Sequence, residues 1–107
     1  MEIYEPEAHT STETIRRYGE FADRGGPAEV AQAWSAAGFD DQLTARWLNA
    51  RCFDAQAARA LAGLGITPEQ AAIRTRDGDG GIDTIAHKVA NGNLTARQGA
   101  ARTRSSR

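Results

Sequence analysis

The sequence predicts an all-α fold: a compact stack of six or seven short helices, built from capped units of about 14 residues, with no sheet. Three observations predict it. Residues 26–74 say nearly the same phrase in GPAEVAQAWSAAG, FDDQLTARWLNAR and FDAQAARALAGLG, and ITPEQAAIR opens a fourth. An apolar residue stands directly before Asp or Thr at Phe39, Phe53, Ile66, Ile82 and Leu94, with separations of 14, 13, 16 and 12 residues. Between these pairs the apolar positions recur at three and four residues, the period of a helix face.

Residues 1–9 read as a flexible acidic arm, because no period runs through them and Pro6 restricts Glu5. Thr10-Ser-Thr-Glu13 fits a capping box that opens a first helix, with Ile15, Tyr18 and Ala22 as its stripe and Phe21 beside it. The glycines at 25 and 26 end that helix. Pro27 suits the first position of the second helix and Glu29 its positive end; Val30, Ala33, Trp34 and Ala37 share one face, and Gly38 stops it. Asp40 is expected to cap the third helix over Leu43, Trp47, Leu48 and Ala50. Asp54 is expected to cap the fourth over Ala57, Ala58, Leu61 and Leu64, with Gly63 and Gly65 at its end.

Thr67-Pro-Glu-Gln70 combines a hydroxyl cap, Pro at the first helical position and Gln at the third, which predicts a fifth helix to about Arg74. Residues 76–81, RDGDGG, form the longest loop and the one seam in the 10–101 domain. Asp83 is expected to cap a sixth helix through Ile85, Ala86 and Val89, closed by Asn91-Gly92. Thr95-Ala-Arg-Gln98 begins a seventh that runs out near Ala101, leaving 102–107 as a disordered basic tail. Helices of about ten residues are marginal alone. Packing must therefore hold them, with each pre-cap residue filling the corner between two helices.

Composition bounds the rest. At 107 residues the chain suits one domain with a modest core. Leu, Ile, Val and Phe make up only about 15% of it, so Ala and two Trp must supply the missing apolar surface. The net charge of -1 gives no global pull toward nucleic acid or an anionic membrane. A single cysteine, Cys52, precludes a disulfide within the chain and fits a reducing cytoplasm. No apolar run approaches a membrane span, and the acidic MEIYEPEA opening lacks the basic start and apolar centre of a signal peptide.

The phrase A-W-x-x-A-G-F followed by A-x-W, then L-G-I-T-P-E-x-A, resembles short tandem helical repeats of actinobacterial and actinophage proteins built on W-x-x-A-G-F-T-P-E-x-A units. The likeness spans residues 27–74 through Trp34, Ala37-Gly38-Phe39, Trp47 and Gly65-Ile66-Thr67-Pro68-Glu69. Arg51-Cys52 departs from it, standing where Ala-Gly is expected. The resemblance implies a small accessory or interaction protein. Gly38-Phe39 is also similar to the G-F pair of ubiquitin-associated-type three-helix modules, with Ala60-Leu61 near the end of a later helix.

Few residues offer chemistry. His9 and His87 have no partners at metal-ligand spacing. Asp77, Asp79 and Asp83 lie in a DGDGGID loop, but the order and spacing of a calcium loop are missing, so a turn and a cap account for them. Cys52 is a thiol beside Arg51 or, more simply, a small packed hydrophobe. Asp40 and Asp41 are adjacent and cannot face each other on a helix. No enzyme, cofactor or metal is expected.

Two binding readings follow. In the first, another protein is held by aromatic corners at Trp34, Phe39, Trp47 and Phe53, if an indole is exposed there rather than packed as core. In the second, residues 61–76 form a helix-turn-helix whose second helix offers Gln70, Arg74 and Arg76 to nucleic acid, joined by Arg97, Arg102, Arg104 and Arg107. No acid follows Asp83, while Glu69 in the first turn of that second helix opposes phosphate.

Overall fold

The computed structural model describes residues 9–19, 25–78 and 80–105. The chain is mostly helical, in the order α1 (Thr12–Tyr18), α2 (Pro27–Ala36), α3 (Asp41–Asn49), α4 (Ala55–Gly63), α5 (Pro68–Ala71), β1 (Arg74–Thr75), β2 (Asp83–Thr84), α6 (Ile85–Ala90) and α7 (Ala96–Ser105). The acidic arm before His9, Phe21, Ala22, Asp79 and Arg107 lie outside the described residues.

Caps start these helices largely where hydroxyls and carboxylates stand. The Asp40 carboxylate accepts from the Leu43 amide at 2.9 Å and that of Asp54 from the Gln56 amide at 3.1 Å. Thr67 with Gln70, and Thr95 with Gln98, exchange reciprocal bonds of 2.8–3.1 Å between side chain and backbone. At α1 the cap is Ser11 rather than Thr10. Thr10 turns inward instead: its hydroxyl donates to the Phe39 carbonyl at 2.8 Å and lies 2.6 Å from the Thr44 hydroxyl, while its amide donates to Ser35 Oγ. Asp41 accepts from the Ser11 amide and the Thr14 hydroxyl, each at 2.7 Å, and so moors α1 to the corner between α2 and α3.

Four helices end in one way. The amides of Phe39, Cys52, Ile66 and Asn93 reach back five residues to the carbonyls of Trp34, Trp47, Leu61 and Lys88 at 2.8–3.1 Å. The amide just before each closes a shorter bond, and the residue carrying it is left-handed: Gly38, Arg51, Gly65 and Gly92, with φ of 92, 65, 80 and 79°. This is the Schellman ending, which satisfies terminal carbonyls and brings a side chain before the turn against one after it. Trp34 and Phe39 meet in that way, ring centroids 5.3 Å apart. After α3 and α6 one further residue, Phe53 or Leu94, separates the ending from the next cap. Arg51-Cys52 is therefore the α3 ending itself, with Cys52 in the place held by Phe39 after α2.

One core runs through the described residues from Ile15 to Ala100 and includes Trp34, Trp47, Phe39, Phe53, Leu61 and Ile66. Both indoles are only 1% exposed. Phe39, Phe53, Ile66 and Leu94 fill corners as expected, whereas Ile82 is 52% exposed. The cap of α6 is Thr84 rather than Asp83; its hydroxyl accepts from the His87 amide and donates to the Ala50 carbonyl at 2.7 Å. Asp83 pairs with Arg51 instead.

The expectation of no sheet is corrected by a two-stranded antiparallel ladder, Arg74 opposite Thr84 and Thr75 opposite Asp83. Gly78, Gly80 and Gly81 supply positive φ in the reversal between them. The Ile85 amide then donates to the Ile73 carbonyl at 2.9 Å, fixing the register. Two residues per strand carry no alternation from which a strand could be read. α7 continues through Arg102 and Arg104 to Ser105, past the expected end near Ala101, with Thr103 buried beneath it.

Gly99 sets how closely α7 approaches. A Cβ there would lie 2.8 Å from Val89 Cγ2 and 3.0 Å from Ile85 Cγ2, whereas one at Gly63 would meet nothing within 4 Å. Ala for Gly inside a helix normally gains about 0.5–1 kcal/mol. Overpacking against stiff β-branched side chains costs about 1–3 kcal/mol. Gly63→Ala is expected to raise the thermal midpoint and Gly99→Ala to lower it; shifts of the same sign would contradict the close approach.

Candidate functional site

The aromatic corners are core, so the alternative in which an indole stands exposed as an anchor is not what the structure holds. Trp34 and Trp47 both occupy the position whose carbonyl accepts the five-residue back-bond, so the turn folds over them and buries the indole. Phe39 and Phe53 are 6 and 8% exposed. Two of the four still reach a surface recess. Between α2 and the start of α4 lies a cleft of about 330 Å³ lined by Glu29, Val30, Ala33, Trp34, Phe53, Asp54 and Ala55. Its floor is aromatic and aliphatic, and its acidic groups are Glu29 and Asp54. Neither carboxylate has an ion-pair partner among the described residues. Phe39 and Trp47 do not line the cleft.

A second recess of about 200 Å³, beside His9, Thr10, Ala31 and Ser35, offers no titratable group except His9. The densest polar cluster surrounds Asp83. Arg51 Nε and Nη2 donate to its two oxygens at 2.9 and 3.1 Å, and the Thr84 amide donates at 2.7 Å. His87 Nδ1 donates to the Arg51 carbonyl at 3.1 Å, since a carbonyl can only accept, and Nε2 lies 2.8 Å from Asn91 Nδ2 and 3.5 Å from Asp83 Oδ2. Burial raises the Asp83 carboxyl, but hydrogen bonds from Arg51 and the Thr84 amide, with the neighbouring positive charge, outweigh it and leave the pKa lowered. Cys52 is fully buried, its Sγ 3.5 Å from the Asp54 carbonyl. The cluster thus ties the α3 ending to α6 and presents no nucleophile. Among the described residues no three His, Cys, Asp or Glu side chains converge on a metal position.

The helix-turn-helix expectation is corrected as well. α5 has only 4 residues, ending before Arg74, and Gln70 is spent on its own cap. One helical turn cannot present a recognition face in a groove. Arg74 lies on β1 and Arg76 just after it, both exposed, while Arg97, Arg102 and Arg104 lie on α7. The structure nevertheless brings part of this set together, since Arg102 Nε sits 2.8 Å from Asp77 Oδ2, next to Arg76. Sequence reasoning missed Glu29 and Asp54 as cleft acids, having read them only as helix-start residues. No sequence signal marks a cleft that depends on how α2 and α4 approach.

No helix among the described residues is long and apolar enough to cross a membrane. No family model matches the chain, and no curated protein or solved structure matches it.

Three carboxyls are held below their ordinary range: Asp41 by the Ser11 amide and Thr14 hydroxyl, Glu69 by Arg46, and Asp83 as above. A lowered folded-state pKa contributes stability that is present above the unfolded value and lost as pH falls through the folded one. The thermal midpoint is therefore expected to hold at neutral pH and to fall below about pH 4. Asp83→Asn should cost about 1–2 kcal/mol at pH 7, since it replaces charge-assisted bonds. It should also flatten the acid limb of the profile; an unchanged limb would show that Asp83 is not a linked group.

Proposed function

We propose that the chain is a small non-enzymatic interaction protein of the cytoplasm, a stack of capped helical units that binds another protein through the α2–α4 cleft. The observation that carries this reading is the pairing of an apolar floor, Trp34 and Phe53, with two carboxylates that no arginine or lysine among the described residues neutralises. Charge complementarity selects the occupant: a peptide segment that lays the aliphatic stem of a lysine or arginine over the floor and its cationic head toward Glu29 and Asp54. The likeness of residues 27–74 to tandem helical repeats supports an accessory role of this kind.

The reading is tested with a random peptide library selected on the full chain and compared on Ala33→Trp, which fills the cleft from the exposed side of α2. Selected peptides should carry Lys or Arg beside an apolar residue. They should bind Ala33→Trp at least tenfold more weakly, and Glu29→Gln/Asp54→Asn several-fold more weakly with reduced salt dependence. Peptides without basic residues, or equal binding to the blocked variant, would overturn it.

A further inference from the structure

Arg51 is the one non-glycine with a left-handed backbone among the described residues, at φ 65°. Glycine holds the same place at the three other endings, at residues 38, 65 and 92, where positive φ carries no steric cost. A strained residue kept where glycine would serve points to what its side chain does. The Arg51 guanidinium reaches both carboxylate oxygens of Asp83, at 2.9 and 3.1 Å, and the ring of Phe53, 6.0 Å from its centre.

Phe53 needs such a hold. After α2 the five-residue back-bond closes on Phe39 itself, and the Trp34 indole lies 5.3 Å from its ring. After α3 the back-bond closes on Cys52, so Phe53 stands one residue beyond the turn and its ring is placed by side chains. His87 meets it edge-on, with ring centroids 6.1 Å apart and planes at 82°. That imidazole is itself oriented by its Nδ1 bond to the Arg51 carbonyl. The carbonyl before it, that of Ala50, accepts from the Thr84 hydroxyl at 2.7 Å. Asp83, Thr84 and His87 thus grip the strained turn at three points, and Arg51 and His87 are both set against the Phe53 ring. Phe53 and the two residues after it, Asp54 and Ala55, form the α4 side of the cleft.

We propose that Arg51 is a positioning residue for the α2–α4 cleft: held by Asp83, its guanidinium fixes the Phe53 ring against His87 and so sets the affinity of the cleft for an apolar, cationic peptide. The ligand rests on the reading of the cleft given above; the geometry rests on the α3 ending alone. A guanidinium fork can join two carboxylate oxygens and still set its plane against a ring, whereas an ammonium group is a point charge. The other ion pair that ties α3 to a later helix, Arg46 with Glu69 of α5, lies outside the cleft lining. It therefore separates a tie between helices from the positioning of Phe53.

The test uses the full chain and three variants. Arg51→Gly sheds the backbone strain together with the ion pair and the ring contact; Arg51→Lys keeps the charge and the strain without the fork; Arg46→Gln breaks the other tie. In the free proteins, ring-labelled phenylalanine is followed by NMR, with Phe39 as the internal reference because Trp34 holds its ring. The Phe53 signals should shift and lose their contacts to the His87 ring in both Arg51 variants and stay in place in Arg46→Gln, while the Phe39 signals stay in place in all three. Binding of the tightest peptide from the library selection on the full chain, measured well below every thermal midpoint, should weaken about fivefold in both Arg51 variants, the loss of one aromatic contact, and hold in Arg46→Gln. Unmoved Phe53 signals in Arg51→Gly, wild-type affinity in both Arg51 variants, or equal weakening by Arg46→Gln would overturn the proposal. If no peptide binds the wild-type chain, the reading of the cleft falls and the affinity claim with it, and the ring signals still decide whether Arg51 positions Phe53.

Discussion

The left-handed helix ending is the constraint on which the structure depends. Helices of four to ten residues cannot hold their own backbone order, and the stabilisation must come from side chains buried between them. A turn that closes a carbonyl five residues back does two things at once. It satisfies backbone groups that would otherwise be stranded near the core, and it places the side chain before the turn against the one after it. At the α2 ending this unites Trp34 with Phe39. At the α3 ending Trp47 is closed over by the Cys52 amide. Truncating either buried Trp would remove about 3–5 kcal/mol, a large share of what a domain this size possesses.

The α3 ending is where this device is costliest. Arg51 takes the left-handed position that glycine holds at the other three, at a cost of about 1–2 kcal/mol for an L side chain. Its guanidinium compensates by joining both oxygens of Asp83 and lying 6.0 Å from the centre of the Phe53 ring. The strained backbone and the ion pair to α6 are therefore one feature. Through it the first three helices are tied to the hairpin and to α6, whose Thr84 hydroxyl bonds the Ala50 carbonyl one residue earlier in the chain.

Helix starts were legible because a cap is a local event: Asp40, Asp54, Thr67 and Thr95 each act on an amide two or three residues ahead. Glycines 38, 65 and 92 were legible as stops for the same reason. Thr10 and Asp83 misled because each has a distant partner that competes with the local cap, the Phe39 carbonyl for one and Arg51 for the other. The exposed Ile82 follows from that shift, since Thr84 and Ile85 take the cap and the buried position. The hairpin was hidden by its brevity. Of the candidate sites, helix periodicity correctly placed both Trp on the apolar stripes but could not say that Trp34 and Phe53 would line one cleft. Nor could it show that Arg102 would reach back to Asp77.

The fully buried Cys52 has a use that follows from its position beneath the α3 ending. As the single thiol of the chain, it is shielded from a bulky alkylating reagent while that corner is closed. Alkylation must then wait for the corner to part, and its rate at high reagent concentration equals the opening rate of the joint between the two halves of the core. The wild-type sequence thus contains its own clock for local opening, with no label or substitution required.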